Sequence, residues 1–202
     1  MLDKGADIFV LTKQGKSALE LAKDRKYQDL YDLLFGIWET RRIQNQGNVI
    51  NEILTTESDY IERLGILVNL YKKSMESELH LSEKATKALF SNVTDIYNAS
   101  VRFNQDIQPI KALPPEKKDV GARFVRNLSY FQMYIPYCTN QSISMKSLDI
   151  AMSHPTIAAF IQNIEKVNKE KLRSEKIDGF LIKPLQRITR FPLLLRELQR
   201  YT

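Results

Sequence analysis

Cysteine is almost missing from this 202-residue chain, with Cys138 the only one. A lone thiol excludes an internal disulfide framework and fits a reducing compartment. Set beside Tyr137 in an apolar segment, it reads as a buried, inert side chain rather than a nucleophile. Histidine is nearly as scarce. His80 and His154 are far apart and have no Cys or carboxylate neighbours at ligand spacing, so no metal site is expected. The seven glycines form no phosphate-cradling loop, and no nucleophile stands beside a base, which removes hydrolysis and group transfer from consideration. Not an enzyme, then. No apolar run reaches the roughly 20 residues of a membrane span, and the start MLDKGADIF lacks the basic and apolar regions of a signal peptide. A cytoplasmic place is expected, with recruitment to the inner membrane surface left open.

Alternating strand patterns of any length are absent too, while helical periodicity runs through most of the chain. The expected fold class is all-α. Hydrophobic residues make up 43% of the chain, enough for a sizeable core, and the net charge of +6 favours acidic partners. Basic residues are spread along outer helix faces and do not interleave with aromatics, so nucleic acid is not expected. A weak contact with an anionic membrane stays open.

Two stretches carry most of the information. In residues 50–71, Ile50, Ile53, Leu54, Tyr60, Ile61, Leu64, Leu67, Val68 and Tyr71 recur at three- and four-residue steps, the stripe of a long core-facing helix. Glu57 falls on that stripe. A carboxylate in an apolar seam must be paired, protonated or placed at the seam's edge. Residues 176–202 predict a helix in which Pro184 takes the first position and Leu185, Ile188, Phe191, Leu195 and Leu198 form the apolar stripe. Gln186, Arg190, Leu193 and Glu197 make a second stripe beside it, with Arg187 on the same outer side. That second stripe is either a solvated basic face or a partner surface. Pro192 falls inside the helix, where it removes a hydrogen bond and should bend the axis at a cost of roughly 3 kcal/mol.

Between these stretches, further helices are expected over residues 81–110, 121–140 and 147–171, with a loop at 108–116 set by Pro109, Pro114 and Pro115. Residues 37–48 read as a helical connector anchored by Trp38 and Ile43, with Gly47 as a break. Residues 1–36 differ in character. Gly5, Ala6 and Asp7, then GKSALELA with Ser17 and Glu20 as a capping box, then Leu30, Leu33 and Leu34, resemble a partial ankyrin repeat. Such units bury their apolar faces by stacking on neighbours, so a larger array or a protein partner is expected for this piece.

Three ordered blocks in residues 49–202 resemble the Dbl-homology domain of Rho-family guanine nucleotide exchange factors. They are VINEILTTESDYIERL, the Tyr134-x-x-Tyr137-Cys138-x-Asn140 signature, and LIKPLQRITRFPLLL at 181–195. The resemblance implies an elongated helical bundle whose first and third blocks grip the switch regions of a Rho-family small GTPase. Carried over by position, Glu57 contacts switch I, Arg190 touches switch II, and Gln186, Arg187 and Leu194 form or support the same surface. It implies a regulator that promotes GDP release without bond chemistry or a cofactor. In the family the last helix runs on beyond the counterpart of Thr202 and a pleckstrin-homology domain usually follows, so a C-terminally incomplete domain is expected. A non-catalytic scaffold or autoinhibitory binding module is the alternative.

Overall fold

A computed structural model describes residue 8, residues 10–114 and residues 117–202. All of its regular elements are helical: α1 (Ala18–Asp24), α2 (Gln28–Ile66), α3 (Lys73–Glu78), α4 (Glu83–Phe90), α5 (Val93–Ile107), α6 (Val120–Arg126), α7 (Leu128–Gln132), α8 (Tyr134–Ser153), α9 (Pro155–Val167), α10 (Lys169–Leu172), α11 (Ile177–Leu181) and α12 (Lys183–Gln199). A π-helical segment, Leu67–Lys72, links α2 to α3 without a loop, and a 3₁₀ turn, Gln108–Ala112, follows α5. The chain divides into two compact units, residues 1–49 with 197–202, and residues 50–196.

In the first unit Ser17 caps α1 as its spacing predicts. Its hydroxyl accepts from the Glu20 amide, and the Glu20 carboxylate accepts from the Ser17 amide at 2.7 Å. Gly15 takes φ +77° in the preceding turn, a conformation that a β-carbon penalises. Leu30 and Leu33, matched to the second helix of the ankyrin-like piece, are 46% and 59% exposed, because nothing described in this unit covers them. They lie on α2, which also runs straight through Gly47; a single helical glycine costs about 1 kcal/mol and does not break a helix by itself. Gly5, Ala6 and Asp7 lie outside the described residues, as do Pro115 and Glu116 of the expected loop.

The second unit is a helical bundle. Of the stripe read over residues 50–71, Ile50, Ile53, Leu54, Tyr60 and Leu64 on α2 and Leu67, Val68 and Tyr71 on the π-helical segment are buried, and Ile61 is half-buried. The helical run expected over 81–110 is cut in two at Ser91, whose φ of 47° ends α4. The run over 121–140 is divided among α6, α7 and α8, and the run over 147–171 breaks at His154, where Pro155 opens α9. Residues 108–112 of the predicted loop form the 3₁₀ segment, since Pro109 suits its first turn, and among the loop's described residues only Leu113 and Pro114 are irregular.

Tyr134, Tyr137 and Asn140 turn out to tie helices together. The Tyr134 hydroxyl donates to Tyr60 on α2 at 3.1 Å, Tyr137 donates to the Leu181 carbonyl at 2.8 Å, and Asn140 donates to the Ala88 carbonyl near the end of α4 at 2.9 Å. Ser100 and Tyr130 extend the first contact into a buried row of hydroxyls, with Tyr130 bonded to both Ser100 and Tyr134. Burial pushes the phenols of Tyr60, Tyr130, Tyr134 and Tyr137 above their ordinary value. Phe103 centres an aromatic cluster beside this row, with the rings of Tyr130, Phe124, Phe131 and Phe191 at 5.1–6.0 Å. This cluster seats the α12 helix through Phe191.

Candidate functional site

The α12 helix buries Phe191 and Leu198 of the predicted apolar stripe but departs from the rest of it. Pro184, Arg187, Phe191 and Leu194 are buried, whereas Leu185, Ile188 and Leu195 are only half-buried. Arg187, expected on the outer side, is 4% exposed. It enters the core because Glu57 meets it there. Its Nε and Nη2 lie 2.8 and 2.6 Å from Glu57 Oε2, its Nη1 donates to Thr56 Oγ1 at 2.9 Å, and Nη2 donates to the Ile53 carbonyl at 3.4 Å. The guanidinium also sits 4.2 Å from the centre of the Phe191 ring and 5.9 Å from that of Tyr60.

Glu57 is therefore not at the edge of the seam. It is 0% exposed, and its Oε1 has no hydrogen-bond partner. Burial raises its carboxyl pKa above the ordinary value, outweighing the opposite pull of Arg187. The pair acts as a staple between two helices whose paired residues are 130 positions apart in sequence. Removing either partner alone strands a buried charge.

Beside the staple, both helices present polar faces to solvent. On α2, Glu52, Thr56, Asp59 and Arg63 follow four-, three- and four-residue steps, which put them on one flank of the buried seam, with Glu52 and Asp59 exposed, Thr56 half-buried and Arg63 buried. On α12, Gln186, Arg190 and Leu193 are exposed, Leu193 by 63%, as the second stripe predicts. Thr56, Asp59, Tyr60, Arg63, Lys183, Gln186, Arg187 and Arg190 line a shallow hollow of about 180 Å³ between the two helices. Arg190 reaches across to Glu52 at 2.6 Å. Lys183 pairs with Glu175 at 2.6 Å, and Arg63 lies 3.6 Å from the same carboxylate.

Of the five residues singled out from sequence, the structure brings Glu57, Gln186, Arg187 and Arg190 together at this seam, two buried and two exposed. Leu194 supports it from beneath, being 6% exposed. Glu52, Thr56, Asp59, Arg63 and Lys183 were not singled out. The signal for four of them was the same second-stripe spacing on α2 that had marked α12. Among the described residues, no group of three or more His, Cys, Asp and Glu side chains is arranged to hold a metal ion. The site offers a charged, solvent-facing contact surface braced by a buried ion pair, which suits recognition of another macromolecule.

Comparison with known proteins bears on residues 49–202, all of which match the RhoGEF domain family model. The chain is 30% identical over 177 residues to human Rho guanine nucleotide exchange factor 4, a match covering 81% of this chain and 24% of that protein. It is 31% identical over 163 residues to human Rho guanine nucleotide exchange factor 9, covering 80% and 31%. The chain thus spans less than a third of the length of these relatives. Among solved structures, the linker-DH/PH domains of p115-RhoGEF superpose with a TM-score of 0.72 at 21% identity, covering 80% of this chain and 51% of that one. The DH/PH domains of PDZ-RhoGEF, solved in complex with GTP-γ-S activated RhoA, give a TM-score of 0.71 at 20% identity, covering 80% and 46%. These likenesses show a shared all-α fold. With its three sequence blocks converging on one braced helix pair and the family match spanning residues 49–202, the chain belongs to the RhoGEF domain family.

Proposed function

We propose that residues 49–202 bind a Rho-family small GTPase through the joined outer faces of α2 and α12 and promote release of its GDP. The observation that carries this reading is the arrangement itself: Glu52 and Asp59 from the first sequence block and Gln186 and Arg190 from the third are exposed beside one hollow, and the Glu57–Arg187 staple braces the two helices. Gln186 and Arg190 make direct contacts, Glu57 and Arg187 hold the helices, and Leu194 supports α12 from the core. A GTPase partner is also supported by the structural neighbour solved with RhoA. The mechanism needs no bond chemistry and no cofactor. Whatever factor tightens binding to the empty GTPase must, by linkage, weaken nucleotide binding by the same factor.

The remaining organisation is a partial ankyrin-like piece at 1–36 and a connector at 37–48 that is part of α2. The exposed Tyr27, Leu30, Leu33 and Phe35 favour a protein partner for this piece, and hence a scaffold role alongside exchange. No described helix is long and apolar enough to cross a membrane. We place the protein in the cytoplasm, with its +6 charge available for contact with an anionic inner leaflet.

Affinity for GDP-loaded and nucleotide-free forms of Rho- and Rac-type GTPases, measured on the whole chain, tests the reading. Tighter binding to a nucleotide-free form is expected, and Arg190→Ala weakens it by about 1–3 kcal/mol, the range of an interface Arg anchor. Equal affinity for both forms would favour the scaffold, and no binding to any of them would end the GTPase reading.

A further inference from the structure

After α2, α8 is the longest described helix, and only Lys146 and Asp149 among its 20 residues are charged, in a chain that is 27% charged overall. Its inner face is fixed. Tyr134, Tyr137, Ser144 and Leu148 are buried there, with Tyr137 donating to the Leu181 carbonyl, Asn140 to the Ala88 carbonyl and Ser144 to the Leu89 carbonyl. These bonds stop α8 from rolling, so its opposite face stays outward whatever it carries. It carries isoleucines. Ile135, Ile143 and Ile150 are 65%, 53% and 64% exposed. At 3.6 residues per turn they fall, together with Lys146 and Asp149, within about 60° of a common line along the helix. Aliphatic side chains with little charge among them are the composition of an interface core, not of a solvated helix face.

The two charges indicate the occupant. Neither Lys146 nor Asp149 has a side-chain partner among the described residues, and both are exposed. Opposite in sign and three residues apart, they complement their own copy under a two-fold axis. With that axis between residues 146 and 147 of an antiparallel pair, Ile143 lies level with the partner's Ile150, and Ile150 with the partner's Ile143, on the same flank of the contact. The same axis leaves Lys146 and the partner's Asp149 about 3 Å apart along the helices, within reach of the lysine stem, and it does so twice. A parallel pair would instead set lysine against lysine and aspartate against aspartate. We propose that the outer face of α8 is a self-association surface, covered by α8 of a second copy in antiparallel orientation. A strip about 30 Å long and 10 Å wide on each copy is well below the roughly 800 Å² per partner of a stable interface, so the dimer is weak and reversible. The inference is independent of the GTPase-binding reading, since α8 contributes no residue to the hollow between α2 and α12.

The test is sedimentation velocity of the whole chain over about a hundred-fold range of concentration, for wild type, Ile150→Gln, Lys146→Glu, Asp149→Lys and an equimolar mixture of the last two. All three positions are exposed, so thermal midpoints should stay near that of wild type. Wild type should pass from monomer to dimer as concentration rises. Ile150→Gln should weaken the dimer by more than about tenfold, because each substitution counts twice across the axis. Each charge reversal should weaken it by about 2–25-fold, the range of two exposed ion pairs. The mixture should recover the wild-type dimer, since one copy then presents both acids and the other both bases, and high salt should narrow its advantage over the single reversals. A mixture no more associated than either variant alone overturns the antiparallel register, and a dimer untouched by Ile150→Gln overturns the surface. A chain that stays monomeric throughout overturns the proposal, including one that adheres to phosphatidylcholine vesicles through this face instead.

Discussion

Arg187→Met is expected to lower the stability of the chain at neutral pH by about 3–5 kcal/mol, the cost of leaving a buried carboxylate without its partner. The methionine fills much of the arginine's volume, so most of this loss is electrostatic. Glu57 then faces an apolar seam with neither oxygen satisfied, since Oε1 already lacks a partner in the native pair. The double variant Glu57→Gln/Arg187→Met should recover most of the loss, because it removes both charges together. The pH dependence gives a second check. Burial raises the folded-state pKa of Glu57 above its unfolded value, so its contribution is fully present below the ordinary glutamate range and is lost as pH rises through the raised value. Without the Arg187 charge, which pulls the other way, that value climbs further. The single variant should therefore gain stability relative to wild type on acidification, and the double variant should not. Urea denaturation at several pH values reads both effects. A single variant as stable as wild type at neutral pH would mean that the pair is not a staple.

Phe103→Ala should cost about 3–5 kcal/mol, the usual range for truncating a buried aromatic. Phe103 is 1% exposed, and four other rings close around it, so the surrounding side chains have little freedom to collapse into the space left behind. One of those rings is Phe191, which also lies against the Arg187 guanidinium. Loosening the cluster should therefore loosen the seat of α12, and the near-ultraviolet circular dichroism should change along with the thermal midpoint. A loss below about 1 kcal/mol would show that the cluster repacks freely.

The two sites differ in how much of them could be read in advance. The α2 seam was legible from spacing alone, including the fact that Glu57 falls on it, because seven-residue recurrence survives a single polar interruption. Its burial was not. Periodicity read from apolar residues assigns any arginine to the outside, so the α12 stripe was drawn through Leu185, Ile188 and Leu195, and Arg187 was left in solvent. What draws Arg187 inward is a carboxylate on another helix, and no local pattern reports a pair so distant in sequence. The same limit hid the Glu52–Arg190 contact and the row of hydroxyls from Tyr60 to Ser100. Helix ends were legible where a side chain makes the cap, as at Ser17, and illegible at Ser91, where a non-glycine residue adopts positive φ. The exposed second stripe on α12 followed from spacing because exposure, unlike pairing, is a property of one helix against the bulk of its own bundle.

The most direct measurement is the release of labelled GDP from a Rho-family GTPase in the presence of excess unlabelled nucleotide. With the whole chain added, the release rate should rise with chain concentration and then saturate, and Arg190→Ala should depress the rise while leaving the thermal midpoint near that of wild type. Release at the intrinsic rate at every chain concentration, for every Rho- and Rac-type GTPase that the chain binds, would contradict the account.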